Sequence, residues 1–434
     1  MNPPDTSPPR TEEVRGPVLA PLSHAEPARS RAQLDLNWYV AGMASYFAAA
    51  GAQSVLFAWL ITIPLGKPAD AVGFAQMMIM LPLPLFILLG GAVADRRELR
   101  DHFIKMQALM FVPTVYLIGL ILLDLVSYEA LIVYALGLGT AAAFTMPVRD
   151  AALPAIAAAS GADLSHAVAL STGLQFGGQI AGLLIAGLAT WVGPLPILGF
   201  VFAGFAFAVY TATRLQVQPP VRARSPLSVA AILGEVREGI LETVMHPQIR
   251  PVSLLMLGMS VLFMGGFMVI LPIMSRDIYG GGSMKLAMTN VSFMAGVAIA
   301  TALLMTRPPV TRPGRAMLLA LLVTFGALSV MHLAPPQWLH YSAILVWGLA
   351  AGVSMTMSRA IVQAAATPSH RARMISVYQL AMMGGSPLGA FLIGLIVARI
   401  GVLDAILVMI GLGVALWLAM FFFSSLWTMA REGG

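Results

Sequence analysis

The charged residues best placed to do chemistry lie in one short segment between two long apolar runs. Asp95-Arg96-Arg97-Glu98-Leu-Arg100-Asp101 follows Gly91 after three apolar residues, whereas 72–93 and 106–123 carry no charge at all. Dense charge between two segments of bilayer length is typical of a tight connection at the membrane surface. We therefore interpret this segment as a cytoplasmic hinge between two membrane-spanning helices.

The composition of the chain is that of a membrane protein. Its 434 residues are 59% hydrophobic and 10% charged, with a mean hydropathy of +0.85; soluble proteins carry about 25% charged residues. The absence of cysteine excludes disulfides and thiolate metal sites. Although the pI is near 9.8, the positive excess is expected to be loop arginine that sets topology rather than a nucleic-acid surface.

Twelve segments are long and apolar enough to cross a bilayer as helices. With the N-terminus inside, only four of the 25 Lys and Arg residues fall on the outer side, namely Lys67, Arg276, Lys285 and Arg399, and this asymmetry supports both the count and the orientation. The predicted spans are 37–63, 71–93, 104–124, 128–148, 165–190, 192–213, 252–275, 284–305, 316–333, 338–358, 374–398 and 402–427.

The chain divides into two related halves. The glycine pattern that starts at Gly177-Gly178 returns at Gly384-Gly385 with an offset of 207 residues, as expected for paired six-helix bundles. We predict a disordered cytoplasmic tail at 1–36, bundles at 37–213 and 251–427, and a short cytoplasmic tail at 428–434. The linker at 214–250 contains an amphipathic helix at 227–242, which is expected to lie on the inner membrane face.

These motifs carry a family resemblance that covers 37–427. Gly91 with Asp95-Arg96 resembles the motif that the major facilitator superfamily places between its second and third helices. Phe144-Thr-Met-Pro-Val-Arg149, Glu235-x-x-Glu238-Gly239, His246-Pro247-x-x-Arg250 and Gly384-Gly385-Ser-Pro-Leu-Gly389 are similar to the branch with the enterobactin exporter and macrolide efflux pumps. The resemblance implies an all-α membrane protein with twelve helices in two pseudo-symmetric bundles. Glu98 and Gln179 depart from the family pattern.

Charged residues near the inner helix ends are expected to act as a conformational switch. The resemblance implies that Asp95 joins neighbouring helix ends by ion pairing and by facing a helix N-terminus, whose dipole favours a carboxylate. A purely topogenic loop is the alternative there, and snorkelling to the lipid headgroups is the alternative for the arginines of spans 4 and 10. The predicted switch residues are Asp95, Arg96, Arg100, Arg149, Asp150 and Arg359.

Polar and aromatic residues inside the spans are expected to line a substrate cavity between the bundles. A buried amide that faced lipid would be unsatisfied at a cost of a few kcal/mol, so Gln53 should face either the cavity or another helix. The predicted cavity residues are Tyr46, Gln53, Phe57, Gln175, Gln179, Asn290, Trp347, Met355, Thr356 and Gln379. Glycines four residues apart, Gly178 with Gly182 and Gly385 with Gly389, predict close helix packing.

The functional reading is secondary transport rather than catalysis. The histidines form no metal spacing and there is no phosphate loop, so we expect no enzyme, no cofactor and no ATP coupling. We predict a monomeric exporter of a bulky amphipathic small molecule in a bacterial inner membrane, with both termini cytoplasmic. Proton coupling is left open, because no acid lies in the middle of a span. An importer or lipid flippase, and a transport-inactive assembly factor, are the alternatives.

Overall fold

The computed structural model describes residues 25–86, 99–160, 163–216, 229–308, 310–366 and 371–429, and within them it contains helices and no strand. The helices are α1 (Ala25–Thr62), α2 (Ala69–Met80), α3 (Leu99–Leu109), α4 (Phe111–Leu122), α5 (Tyr128–Ser160), α6 (Leu164–Ala186), α7 (Ala189–Val192), α8 (Pro194–Arg214), α9 (Val229–Met245), α10 (Ile249–Met259), α11 (Gly265–Asp277), α12 (Ser283–Thr306), α13 (Pro313–His332), α14 (Gln337–Ala365), α15 (Arg371–Gly384), α16 (Ser386–Ile400) and α17 (Val402–Phe423). A π-helical turn, Ser260–Met264, joins α10 to α11.

The predicted twelve spans are confirmed within the described residues. Each is long and apolar enough to cross a bilayer; they are α1, α2 with its continuation to Phe86, α3 with α4, α5, α6, α8, α10 with α11, α12, α13, α14, α15 with α16, and α17. The linker contains a helix, α9, as predicted. It ends at Met245, just before His246-Pro247, because the residue before a proline is disfavoured in a helix.

The first helix starts earlier than the predicted span. It begins at Ala25, so 25–36 is helical where the predicted tail had no structure. Asp35 and Leu36 are buried there, and a carboxylate oxygen of Asp35 accepts a hydrogen bond from the backbone N–H of Gln216, 3.2 Å away. This contact joins α1, near the predicted start of its span, to the residues just after α8. Ala, Arg and Gln dominate 25–33, and these strong helix formers let α1 continue beyond its apolar part.

Small residues bring the helices of each bundle into backbone contact. Gly178 and Gly182 of α6 lie so close to the carbonyl oxygens of Ala44 and Ala48 in α1 that an added Cβ would overlap with them. The same arrangement recurs in the second bundle, where Gly389 of α16 lies against the carbonyl oxygen of Val261. Packing of this kind holds membrane helices together without a hydrophobic driving force.

The buried apolar side chains form two clusters of different extent. The larger cluster runs through both bundles and contains Phe57 and Tyr134 of the first together with Phe267 and Trp347 of the second. A smaller cluster belongs to the first bundle alone and includes Tyr39, Met43, Phe103, Ile156 and Leu215. The two bundles therefore share one core over much of their height, while the predicted inner end of the first bundle has its own.

Candidate functional site

The bundles are joined at one end by a set of hydrogen bonds, which we call the outer clasp (Gly187, Thr190 and Ser283). The backbone N–H of Thr190 donates to Ser283 Oγ at 2.8 Å, and the backbone N–H of Ser283 donates to Thr190 Oγ1 at 2.8 Å. The two hydroxyl oxygens are also 2.8 Å apart, and Ser283 Oγ donates to the carbonyl of Gly187 at 2.7 Å. The clasp thus links the end of α6 and the start of α7 to the first turn of α12.

A second bridge lies at the same end, where the connections 63–68, 187–193 and 278–282 are found; because the charge distribution predicts that this end faces outward, we call it the outer end. Arg276 of α11 donates through Nη1 to the carbonyl of Lys67 at 2.6 Å, and its Nε and Nη2 contact Asp277. In addition, Gly73 of α2 and Gly394 of α16 approach each other so closely that neither has room for a side chain. Two helix pairs and one contact between a helix and a connecting loop therefore join the bundles at this end.

Tyr279 fixes the connection that leads into the clasp. Its hydroxyl donates to the carbonyl of Pro335 at 3.0 Å, and its ring centroid is 4.5 Å from that of His340. Burial raises the pKa of the Tyr279 hydroxyl to about 12, so this phenol remains a neutral donor at any physiological pH. The turn before Ser283 is thereby tied to the start of α14.

Among the predicted switch residues, Arg149 and Asp150 lie together on α5. The Arg149 guanidinium is stacked on two rings of α1, with its Cζ 4.7 Å from the ring centroid of Phe47 and 5.6 Å from that of Tyr46. Its Nε lies 3.5 Å from Asp150 Oδ1, and the two side chains are 13% and 56% exposed. This geometry directs the cation toward α1.

The remaining switch residues are spread over the inner side. Arg100 donates through Nη2 to the carbonyl of Thr213 at 2.6 Å and so joins α3 to α8. Arg359 lies on an exposed face of α14. Asp95 and Arg96 lie outside the described residues, so the hinge proposed for them keeps its status as a prediction.

The predicted cavity residues differ in how far they are buried. Tyr46, Gln53, Phe57 and Trp347 are buried, and Met355 is exposed. The others, Gln175, Gln179, Asn290, Thr356 and Gln379, are half-buried. Asn290 donates to the carbonyl of Leu286 one turn earlier at 2.8 Å, a local bond that satisfies its amide nitrogen within α12.

Gln53 belongs to a polar patch that the sequence did not indicate. It lies beside Tyr134 of α5, whose ring packs on Phe57 with centroids 5.8 Å apart. Within the described residues, Gln53 Nε2, Tyr134 Oη and Trp59 Nε1 are buried without a hydrogen-bond partner. Unsatisfied polar groups of this kind need an explanation, and a ligand or water that binds in another state is one.

The second bundle contributes an aromatic patch. Trp347 of α14 packs on Phe267 and Phe293, with both centroid distances at 5.7 Å, and the two phenylalanine rings are 4.5 Å apart. Trp347 was predicted, whereas Tyr134, Phe267 and Phe293 were not. In spans that are apolar on every face, an aromatic residue carries no signal that separates a cavity wall from a lipid-facing surface.

Twelve membrane-spanning helices in two six-helix bundles that meet along an interface define a membrane transporter of the major facilitator fold. A family model described as "Transmembrane secretion effector" matches residues 32–432. The chain therefore belongs to this family, and its predicted membership of the superfamily is confirmed. No curated protein sequence matches it.

Solved structures with the same fold are distant in sequence. The nucleoside transporter NupG is 15% identical with a TM-score of 0.67, covering 90% of this chain and 99% of its own. The human organic anion transporter MFSD10 (TETRAN) is 13% identical with a TM-score of 0.65 and coverages of 90% and 99%. A D-xylose-proton symporter is 12% identical with a TM-score of 0.65 and coverages of 91% and 97%. At these identities the likeness concerns the fold.

Proposed function

We propose that this transporter is a secondary active exporter that moves a bulky amphipathic small molecule by alternating access. The observation that carries the proposal is the uneven closure of the interface. The outer clasp and the Arg276 bridge join the bundles at the outer end, whereas the inner end of the first bundle has a separate core. A carrier in this arrangement receives its substrate from the inner side, where an exporter loads.

The family description favours export over import. A match over nearly the whole chain to a family described by secretion fits release to the outside, and it is consistent with the exporter branch that the motifs resemble. We place the protein in a bacterial inner membrane with both termini in the cytoplasm, as the distribution of arginine predicts. Exposed Asp150, next to Arg149, is the carboxylate that we propose for proton coupling.

The outer clasp can be locked because the chain contains no cysteine. A Thr190→Cys/Ser283→Cys double variant would place two thiols where two hydroxyl oxygens are now 2.8 Å apart, close to the ~2 Å of a disulfide bond. We expect oxidation to abolish export and reduction to restore it, because an exporter must open its outer end to release substrate. The two single variants, under the same oxidant, are the controls.

Export is measured by profiling metabolites and siderophores in the medium of a deletion strain that carries each variant. Unchanged export by the cross-linked protein would refute alternating access at this interface. Substrate that accumulates outside the deletion strain instead of inside it would identify an importer. Loss of a partner complex with no altered flux would identify an assembly factor.

A further inference from the structure

The guanidinium of Arg149 is a charge that the helix packing leaves incompletely compensated. It belongs to a membrane-spanning helix, and its side chain is only 13% exposed. Charges in such positions are paired or mark a binding site or pathway, because their desolvation is costly. The rings of Phe47 and Tyr46 compensate part of this cost through cation–π contact.

The ion pair with Asp150 leaves the best donors of this guanidinium unused. The contact runs through Nε at 3.5 Å, which is long for a charge-assisted hydrogen bond, and the Asp150 carboxylate is directed largely to solvent. The hydroxyl of Tyr39 donates to the backbone carbonyl of Arg149 at 3.1 Å and so holds the helix there. Over the described part of the chain, the two Nη nitrogens of Arg149 have no recorded protein partner.

The groups around these two nitrogens indicate what kind of ligand would bind there. Two Nη groups form a planar fork that matches the two oxygens of a carboxylate or phosphate. The half-buried ring of Phe47 provides an apolar wall, and the Tyr46 ring beside it is buried against Phe205, with a centroid distance of 5.5 Å. On the other bundle, Arg359 lies on the exposed face of α14 that also contains Met355, so a second cation is available on the inner half.

We propose that Arg149, Phe47 and Tyr46 form an organic-anion site, in which the guanidinium binds an oxyanion and the rings hold the aromatic or apolar body attached to it. The site deepens the proposed export function, on which it rests for placing the ligand in the transport path, by giving the cargo a negative charge. An anionic phospholipid headgroup has the same chemistry, so the test separates the two sources.

The test uses two fluorescent probes that differ only in charge, dansylglycine and its neutral amide. Binding to the full chain in phosphatidylcholine nanodiscs is measured by energy transfer from tryptophan. We expect the wild type to bind the carboxylate about tenfold more tightly than the amide, the equivalent of one charge-assisted interaction. Arg149→Gln should remove this tenfold preference and leave amide binding unchanged.

Three further variants make the result specific. Arg149→Lys keeps the charge without the fork and should retain part of the preference. Phe47→Leu should weaken both probes equally, because it removes the wall and not the charge. Arg399→Gln, at the exposed outer end of α16, is the matched control and should leave both affinities unchanged.

Several outcomes would overturn the proposal: no binding of dansylglycine to the wild type, equal wild-type affinities for the two probes, or a loss in Arg149→Gln that is the same for both. If phosphatidylglycerol in the nanodisc displaces the carboxylate probe at Arg149, the site belongs to a lipid and the cargo assignment fails. Failure here with intact, clasp-dependent export would leave the proposed function standing, whereas unchanged export by the oxidised clasp variant would overturn the proposed function itself.

Discussion

In both bundles, glycines of one helix pack against backbone carbonyl oxygens of another, but the helices that supply these carbonyls differ in regularity. In the first, glycines of α6 lie against carbonyl oxygens of a continuous α1; in the second, a glycine just before α16 and one within it lie against carbonyl oxygens at the end of α10 and in the π-helical turn. In each bundle the two glycines are four residues apart, and so are the two residues whose carbonyl oxygens they contact. They are Gly178 and Gly182 on Ala44 and Ala48, and Gly385 and Gly389 on Leu257 and Val261.

The two halves differ in which one contains the irregular helix and which one has an acid beside its arginine. The second half has the π-helical turn Ser260–Met264, a feature that is frequent at functional sites. The first half has an acid beside its inner arginine, Arg149-Asp150, where the second has Arg359-Ala360. We infer that the second bundle supplies the deformable helix of the transport cycle and the first supplies the charges that respond to ligand or protons.

The largest effect should come from breaking the shared contact. Gly182→Leu and Gly389→Leu each place a side chain where no Cβ fits, and overpacking of this kind costs about 1–3 kcal/mol or more. We expect both variants to lose the monodisperse peak in fluorescence-detected size-exclusion chromatography. Gly173→Leu, where the neighbouring space is open, is the control and should remain folded. If Gly389→Leu is tolerated and Gly182→Leu is not, the π-helical turn can adjust to the added side chain, and the second half is the more deformable one.

The next effect concerns the loops that follow spans 2 and 8. Asp95→Asn should lower export by about tenfold while membrane insertion remains normal, because the family resemblance implies that its carboxylate faces a helix N-terminus, where such a charge contributes up to ~2 kcal/mol in favourable geometry. Thr311 occupies the position related to Asp95 in the second half, so Thr311→Asn should have little effect. Normal export by Asp95→Asn would show that the loop after span 2 only sets the topology.

A smaller and more selective effect is expected from the acid that only the first half has. Asp150→Asn should abolish the dependence of export on an imposed pH gradient and leave the protein folded. Asp404→Asn, which changes an exposed acid in the first turn of α17, should retain that dependence. The measurement is substrate efflux from proteoliposomes with and without the gradient. Full coupling in Asp150→Asn would make this residue only the structural partner of Arg149.

The smallest effect should come from the polar patch beside Tyr134. Gln53→Ala removes a buried amide whose Nε2 has no recorded partner within the described residues, so thermal stability should change little. Substrate affinity should fall about three- to tenfold, the value of one hydrogen bond of 0.5–1.5 kcal/mol. Ser260→Ala removes a comparable unpartnered hydroxyl from the second half and should leave affinity unchanged. A stability loss in Gln53→Ala without an affinity change would place the amide in helix packing.

The sequence by itself determined the twelve spans, the linker helix and the internal repeat at an offset of 207 residues, because a bilayer demands runs of about 20 apolar residues and a polar connection between them. It also pointed to the four packing glycines through their spacing. Its errors are errors of extent: α1 begins at Ala25, α5 continues to Ser160 and α14 continues to Ala365, each beyond the apolar run that marked the span.

Only the tertiary structure decided which faces meet. A soluble helix shows its buried side through a polar opposite side, whereas a membrane helix is apolar all round, so its sequence does not distinguish the face toward lipid from the face toward a partner. The meeting of Thr190 with Ser283 across 93 residues, the place of Arg149 over Phe47, and the position of Gln53 beside Tyr134 therefore had no local signal. Each depends on how two bundles pack, and that is settled by small residues whose partners lie far away in the chain.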